Sequence, residues 1–164
     1  MNYSEYREKT QKDFNEFSDT HMFYAFNKEQ FEEGYQKLLK IKTEELICTG
    51  KLKGGARRKP KFSLDLVTIA GAGDYIDRSD VKKFLELSNK HNKMFLDEIR
   101  KDVDGTGFIR QMFAWELENH EYAYTEDVDE TLRDLRLDES MFSKYPQLKK
   151  GLDLALRRYE VACV

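Results

Sequence analysis

The spacing of apolar positions divides the chain into helices and a few short strands. Residues 3–18 carry a thin stripe, Tyr3, Tyr6, Phe14 and Phe17, on an otherwise polar helix. His21-Met22-Phe23-Tyr24-Ala25-Phe26 is short, aromatic and apolar, which suits a buried strand. Asn27 stands three residues before Gln30, a capping-box pattern, and Phe26 and Phe31 occupy the positions of a hydrophobic staple. The helix that follows turns Phe31, Tyr35, Leu38 and Leu39 inward, with Gly34 admitting a close neighbour. Residues 45–49 and 64–70 read as two strands, the second built on Leu66-Val67-Thr68-Ile69-Ala70. Gly71-Ala72-Gly73-Asp74 turns the chain out of that strand. Asp77 or Ser79 then caps a long helix to about residue 101, with Val81, Phe84, Leu85, Ser88, Phe95 and Ile99 inward.

Asp102-Val103-Asp104-Gly105-Thr106-Gly107 breaks this helix, and another follows through Ile109, Met112, Phe113 and Leu117. Thr125 caps a short acidic helix with Val128, Leu132 and Leu135 apolar. A turn carrying Met141 and Phe142 ends at Pro146. The final helix, 147–161, buries Leu148, Leu152, Ala155, Leu156 and Tyr159. With 164 residues, no internal repeat and no linker, the expectation is one domain spanning 1–164. Its class is α+β, mostly helical, with a small antiparallel sheet of two or three strands.

Composition narrows the function classes. No apolar run approaches the roughly 18 residues of a spanning helix, so no membrane partner is expected. The first residues lack the basic and apolar regions of a signal peptide. Cys48 and Cys163 are far apart and form no CxxC pair, which suits reduced thiols in a cytoplasmic protein. Cys48, in an expected strand, reads as a small apolar side chain. The net charge of −3 exerts little pull on nucleic acid, but it is unevenly spread. Lys51, Lys53, Arg57, Arg58, Lys59 and Lys61 form a block without an intervening acid, and its glycines and proline predict a mobile loop over 51–61. That loop suits phosphate contacts, hence RNA, although it has no aromatic for base stacking; a bare solvated loop is the alternative. Residues 116–139 hold ten acids against two arginines.

Chemistry-bearing groups concentrate between Trp115 and Tyr124. Glu116 and His120, four apart, share a helix face. A carboxylate beside an imidazole orients the ring, as a general base or metal ligand requires. The pair is either catalytic, completed by distant groups such as His91, Asp74 or His21, or a buried contact tying the helix end to Tyr122 or Tyr124. One His with one Glu is too few ligands for zinc, and no HExxH pattern is present. The segment from Asp102 to Ile109 resembles the opening of an EF-hand calcium loop, with Asp102, Asp104 and Thr106 as ligands. Phe113 stands where that loop needs a bidentate Glu, so a plain Asp/Gly turn competes with the calcium reading. Gly71-Ala72-Gly73 lacks the third glycine and immediate helix of a phosphate loop. No cofactor is expected.

Two patches, Phe23-Tyr24-Ala25-Phe26-Asn27-Lys28-Glu29-Gln30-Phe31-Glu32-Glu33-Gly34 and Glu116-Leu117-Glu118-Asn119-His120-Glu121-Tyr122, resemble a family of small uncharacterised proteins of bacteriophages and bacterial mobile elements. Similarity across Gly71 to Tyr75 would extend that resemblance over much of the chain. It implies a context: an accessory or counter-defence factor, of the anti-CRISPR kind, that binds a host protein or ribonucleoprotein in the bacterial cytoplasm. The expected function is therefore non-catalytic inhibition of a defence effector such as a CRISPR nuclease. Glu126, Asp127, Asp129 and Glu130 would form the acidic contact, and the 51–61 loop the basic one. The alternative is a small enzyme, or a nucleotide- or metal-binding protein, using Glu116, Asn119 and His120.

Overall fold

The computed structural model describes residues 1–52 and 62–160. Eight helices and three strands follow in order: α1 (Tyr3–His21), β1 (Met22–Tyr24), α2 (Lys28–Cys48), β2 (Leu66–Val67), β3 (Asp74–Asp77), α3 (Val81–Lys101), α4 (Phe108–Asn119), α5 (Tyr122–Thr125), α6 (Asp129–Asp134), α7 (Glu139–Lys144) and α8 (Gln147–Glu160). A single 3-10 turn, Arg78–Asp80, joins β3 to α3. The class is α+β, mostly helical with a small antiparallel sheet, as the spacing predicts. Two compact units are present: residues 1–10 with 90–164, and residues 11–89. No helix of the described residues is long and apolar enough to cross a membrane.

The unit of residues 11–89 contains the sheet, in the order β1-β3-β2 with both pairs antiparallel. Phe23 lies opposite Tyr75 and stacks on its ring at 5.1 Å, and Phe31 of α2 meets both rings edge-on. Gly34 lets α2 come this close: a Cβ there would lie 2.3 Å from the Phe23 ring. Asn27 caps α2 as predicted, its side chain accepting from the Gln30 N–H. Gln30 answers through the Phe26 N–H rather than that of Asn27. Phe26 itself is 77% exposed, so it neither ends a buried strand nor staples to Phe31.

Four expectations are corrected here. Residues 45–49 are not a strand, because α2 runs on to Cys48, which is exposed. The reason is a tertiary contact: Lys42, buried, donates to buried Asp80 at 2.7 Å, and Glu45 sits beside Lys42 and Lys83. Residues 64–70 shrink to the two-residue β2, since Ile69 and Ala70 give their N–H groups to Asp74. Asp74 is not only a turn residue; it opens β3, the central strand. Leu85, expected inward, is 54% exposed.

The other unit is a helical cluster. Ile109, Met112, Phe113 and Leu117 of α4 are fully buried and meet Leu148 and Ala155 of α8 in one core. Gly151 makes this packing close, since a Cβ there would lie 2.4 Å from the Ile109 side chain.

Asp80 is buried and bound by three basic side chains, Lys42, Lys83 and His21. Burial works to raise its carboxyl, but hydrogen bonds from Lys42, Lys83 and His21 more than offset that and hold it below the usual carboxylate value. A depressed carboxyl contributes stability that is complete above the unfolded value near 3.9 and is lost as pH falls through the lower folded value. Asp80→Asn leaves the Lys42 ammonium buried without its anion. Denaturant unfolding at neutral pH is expected to show a loss of about 3–5 kcal/mol. The deficit should narrow in strong acid, where the parent chain loses the same contribution.

Candidate functional site

Helix α4 delivers Glu116 and His120 to one face, as their spacing requires, but the fold gives them different partners. Glu116 accepts a 2.6 Å hydrogen bond from the Tyr3 hydroxyl. His120, the C-cap of α4, turns toward α6: Nε2 lies 3.1 Å from an Asp134 oxygen and Nδ1 3.8 Å from a Glu130 oxygen. Glu130 and Asp134 are four apart, so one face of α6 presents both carboxylates to the ring. The 3.1 Å approach is a close charge contact without hydrogen-bond alignment, since Nε2 is buried and has no directed acceptor among the described residues. Asn119 is exposed beside Trp115 and Glu118, on whose indole the Arg7 guanidinium stacks at 3.8 Å.

Tyr3 belongs to this site although its sequence position offered no such sign. Burial, and next the hydrogen bond to Glu116, push its phenol well above the ordinary value. The hydroxyl therefore stays a donor throughout the neutral range. Beside it opens a cleft of about 350 Å³, whose rim is completed by Asp134 and Arg136. Asp134 is one of the counted acids of 116–139; its place four residues after Glu130 on a short helix was the available signal.

The four acids proposed for partner contact are all exposed. Asp127 also holds the backbone, accepting from the Asp129 N–H at 2.8 Å. Thr125 does not cap α6 directly; it ends α5, and its hydroxyl accepts from the Asp127 N–H. Between α6 and α7 a groove of about 800 Å³ has Leu132, Leu137 and Phe142 among its lining, with Asp129 and Glu139 beside them. Glu121, Glu126 and Arg136 adopt left-handed backbone conformations with φ of 52°, 53° and 54°. Each costs on the order of 1–2 kcal/mol relative to the right-handed region, and all three lie within the acidic segment.

Lys51 is exposed; Lys53, Arg57, Arg58, Lys59 and Lys61, and with them most of the expected mobile loop, lie outside the described residues. In the segment resembling a calcium loop, both Asp102 oxygens serve the backbone. Oδ2 accepts from the N–H groups of Gly107 and Ile109 at 3.2 and 2.8 Å, and Oδ1 shares the Gly107 N–H at 3.3 Å, which together hold the start of α4. Asp104 and Thr106 are exposed. Gly105 presses its backbone against Gln147 and Gly151 at φ +66°, which is why glycine stands in this turn. Among the described residues no group of three or more His, Cys, Asp or Glu side chains is placed to hold a metal ion. Of the distant groups considered as partners for Glu116 and His120, His21 lies against Asp80 and Asp74 closes the β2–β3 turn.

Tyr3→Phe removes the donor to a half-buried carboxylate and is expected to cost about 1.5–3 kcal/mol at neutral pH, read by thermal or denaturant unfolding. Because the phenol is raised on folding, its contribution is complete below the unfolded value near 10 and is lost as pH rises through the higher folded value. The difference between parent and Y3F chains should therefore shrink at alkaline pH.

No curated protein and no solved structure matches this chain. A family model matches residues 2–158, nearly the whole sequence. The chain thus belongs to a family of unknown function (DUF7659).

Proposed function

We propose that the chain is a non-catalytic binding protein whose acidic segment engages a cationic surface on a host protein or ribonucleoprotein. The supporting observation is the exposure of Glu126, Asp127, Asp129 and Glu130 together, with no lysine or arginine paired to any of them among the described residues. Carboxylates left to water cost nothing to expose and are free to meet a basic groove. The α6–α7 groove adds apolar area beside the charge, which charge alone lacks as a source of affinity. Backbone strain concentrated in the same segment is in keeping with a surface kept for recognition.

The resemblance to phage and mobile-element proteins gives this reading its target: a bacterial defence effector, with a CRISPR nuclease as the example and its nucleic-acid groove as the cationic surface. The basic block from Lys51 to Lys61 would add an RNA contact. Purified chain is expected to protect target DNA from a susceptible RNA-guided nuclease. Reversing Glu126, Asp127, Asp129 and Glu130 to lysine should abolish that protection with the circular dichroism spectrum unchanged. Equal protection by the reversed chain discards the acidic face, and absence of protection across a panel of effectors discards the counter-defence role.

A second reading, a small enzyme or ligand-binding protein centred on Glu116, Asn119 and His120, is favoured by the buried, undirected Nε2 of His120. Under it, His120→Ala eliminates turnover or ligand binding at near-normal stability. Under the first reading the same change lowers only the melting temperature, by several degrees.

A further inference from the structure

The cleft beside Glu116 has a composition that selects its occupant. Its apolar wall is aromatic: Tyr3 and Tyr6 stack at 6.0 Å, and Tyr6 meets Phe95 at 5.8 Å. Its charged groups are Glu116, Asp134 and Arg136, giving −2 + 1 = −1. The two carboxylates are only half committed. Glu116 uses Oε1 for Tyr3 and Asp134 has Oδ2 at His120, leaving Oε2 and Oδ1 without a bonded partner among the described residues. The Tyr3 proton is already given to Glu116, so that hydroxyl offers a lone pair rather than a donor. Arg136, the exposed Asn92 and the Tyr6 hydroxyl can donate into the space, while the two carboxylates and the Tyr3 hydroxyl are acceptors, set against an aromatic wall.

From this we infer that the cleft binds one alkyl-guanidinium cation. The planar, weakly hydrated guanidinium packs against the half-buried Tyr6 and Phe95 rings while its N–H fork reaches the free oxygens of Glu116 and Asp134. An ammonium satisfies the charge but not the stacking. A volume of about 350 Å³ lies at the small end of ligand sites and admits a short guanidino-alkane, while the net negative charge disfavours a phosphate-bearing ligand. The same pairing already occurs within the chain, where Arg7 stacks on Trp115. The cation has two sources, a free small molecule or an arginine side chain carried by a partner. The inference rests on the cleft and not on the acidic face, and its failure leaves that reading untouched.

The test is a titration of the full chain with agmatine, with a short blocked peptide carrying one arginine, and with the same peptide carrying citrulline, followed by amide chemical shifts. Saturable shifts around Tyr3, Tyr6 and Glu116 with agmatine identify a free cation as ligand. Saturation with the arginine peptide alone identifies a partner's side chain. In either case Glu116→Gln, which can still accept from Tyr3, and Asp134→Asn each weaken binding at least about tenfold, and citrulline gives no saturation. The inference is overturned if neither guanidine saturates at millimolar concentration, if citrulline binds as well as arginine, or if both variants bind unchanged with native-like spectra.

Discussion

Backbone N–H groups at the joints between short elements must find acceptors, and here aspartate carboxylates supply those that backbone carbonyls do not reach at several joints. Asp74 accepts from Ile69, Ala70 and Ala72 and so closes the β2–β3 turn. Asp77 holds Asp65 on one side and Ser79 on the other, Asp102 holds the start of α4, and Asp138 the start of α7. Each bond replaces a water that a buried turn would exclude, so a mostly helical chain with short connections keeps its joints satisfied. These bonds lower the carboxyl of Asp74 against the opposing effect of burial; that of Asp138 is lowered by the Ser140 hydroxyl first and the Met141 N–H next.

This constraint sorts the acids of the chain into two populations. Asp74, Asp77, Asp80 and Asp102 look inward, and their oxygens are spent on backbone donors or, for Asp80, on Lys42, Lys83 and His21. Glu126, Asp129 and Glu130 look outward. A count of charges along the sequence treats both populations alike, which is why Asp102 and Asp104 resemble calcium ligands on paper. In the fold the Asp102 carboxylate turns onto the Gly107 and Ile109 N–H groups and serves as the brace for the start of α4. Exposed acids gather in α6 and in the turns that flank α5 and α6, where the strained Glu121, Glu126 and Arg136 also lie.

The 350 Å³ cleft depends on this division too. Asp134 reaches it because Glu130 and Asp134 occupy one face of a six-residue helix, and Glu116 because α4 is pinned at its start by Asp102 and packed along its length against α8. Tyr3, raised by burial, supplies a fixed hydrogen bond that orients Glu116. Geometry of this kind is set by packing, not by any single residue type.

Periodicity alone determined the α+β class, most of the helices, and the buried face of α4, because Ile109, Met112, Phe113 and Leu117 repeat at the helical spacing whatever they pack against. The Asn27 cap was legible too, its chemistry being complete within three residues; of the two candidates Asp77 and Ser79, Asp77 caps the 3-10 turn that leads into α3. Tertiary structure decided the rest. Leu46-Ile47-Cys48 has the look of a strand, yet it continues the helix that the buried ion pair between Lys42 and Asp80, thirty-eight residues apart, anchors one turn earlier. β3 was hidden because Asp74 and Asp77 are poor strand residues locally and become acceptable only when their carboxylates meet the turns beside them. Glu116 and His120 were legible as neighbours on a helix. Their separate commitments to Tyr3 and Asp134 were not, because an ionised side chain takes whichever partner the fold brings nearest, and sequence distance carries no record of that.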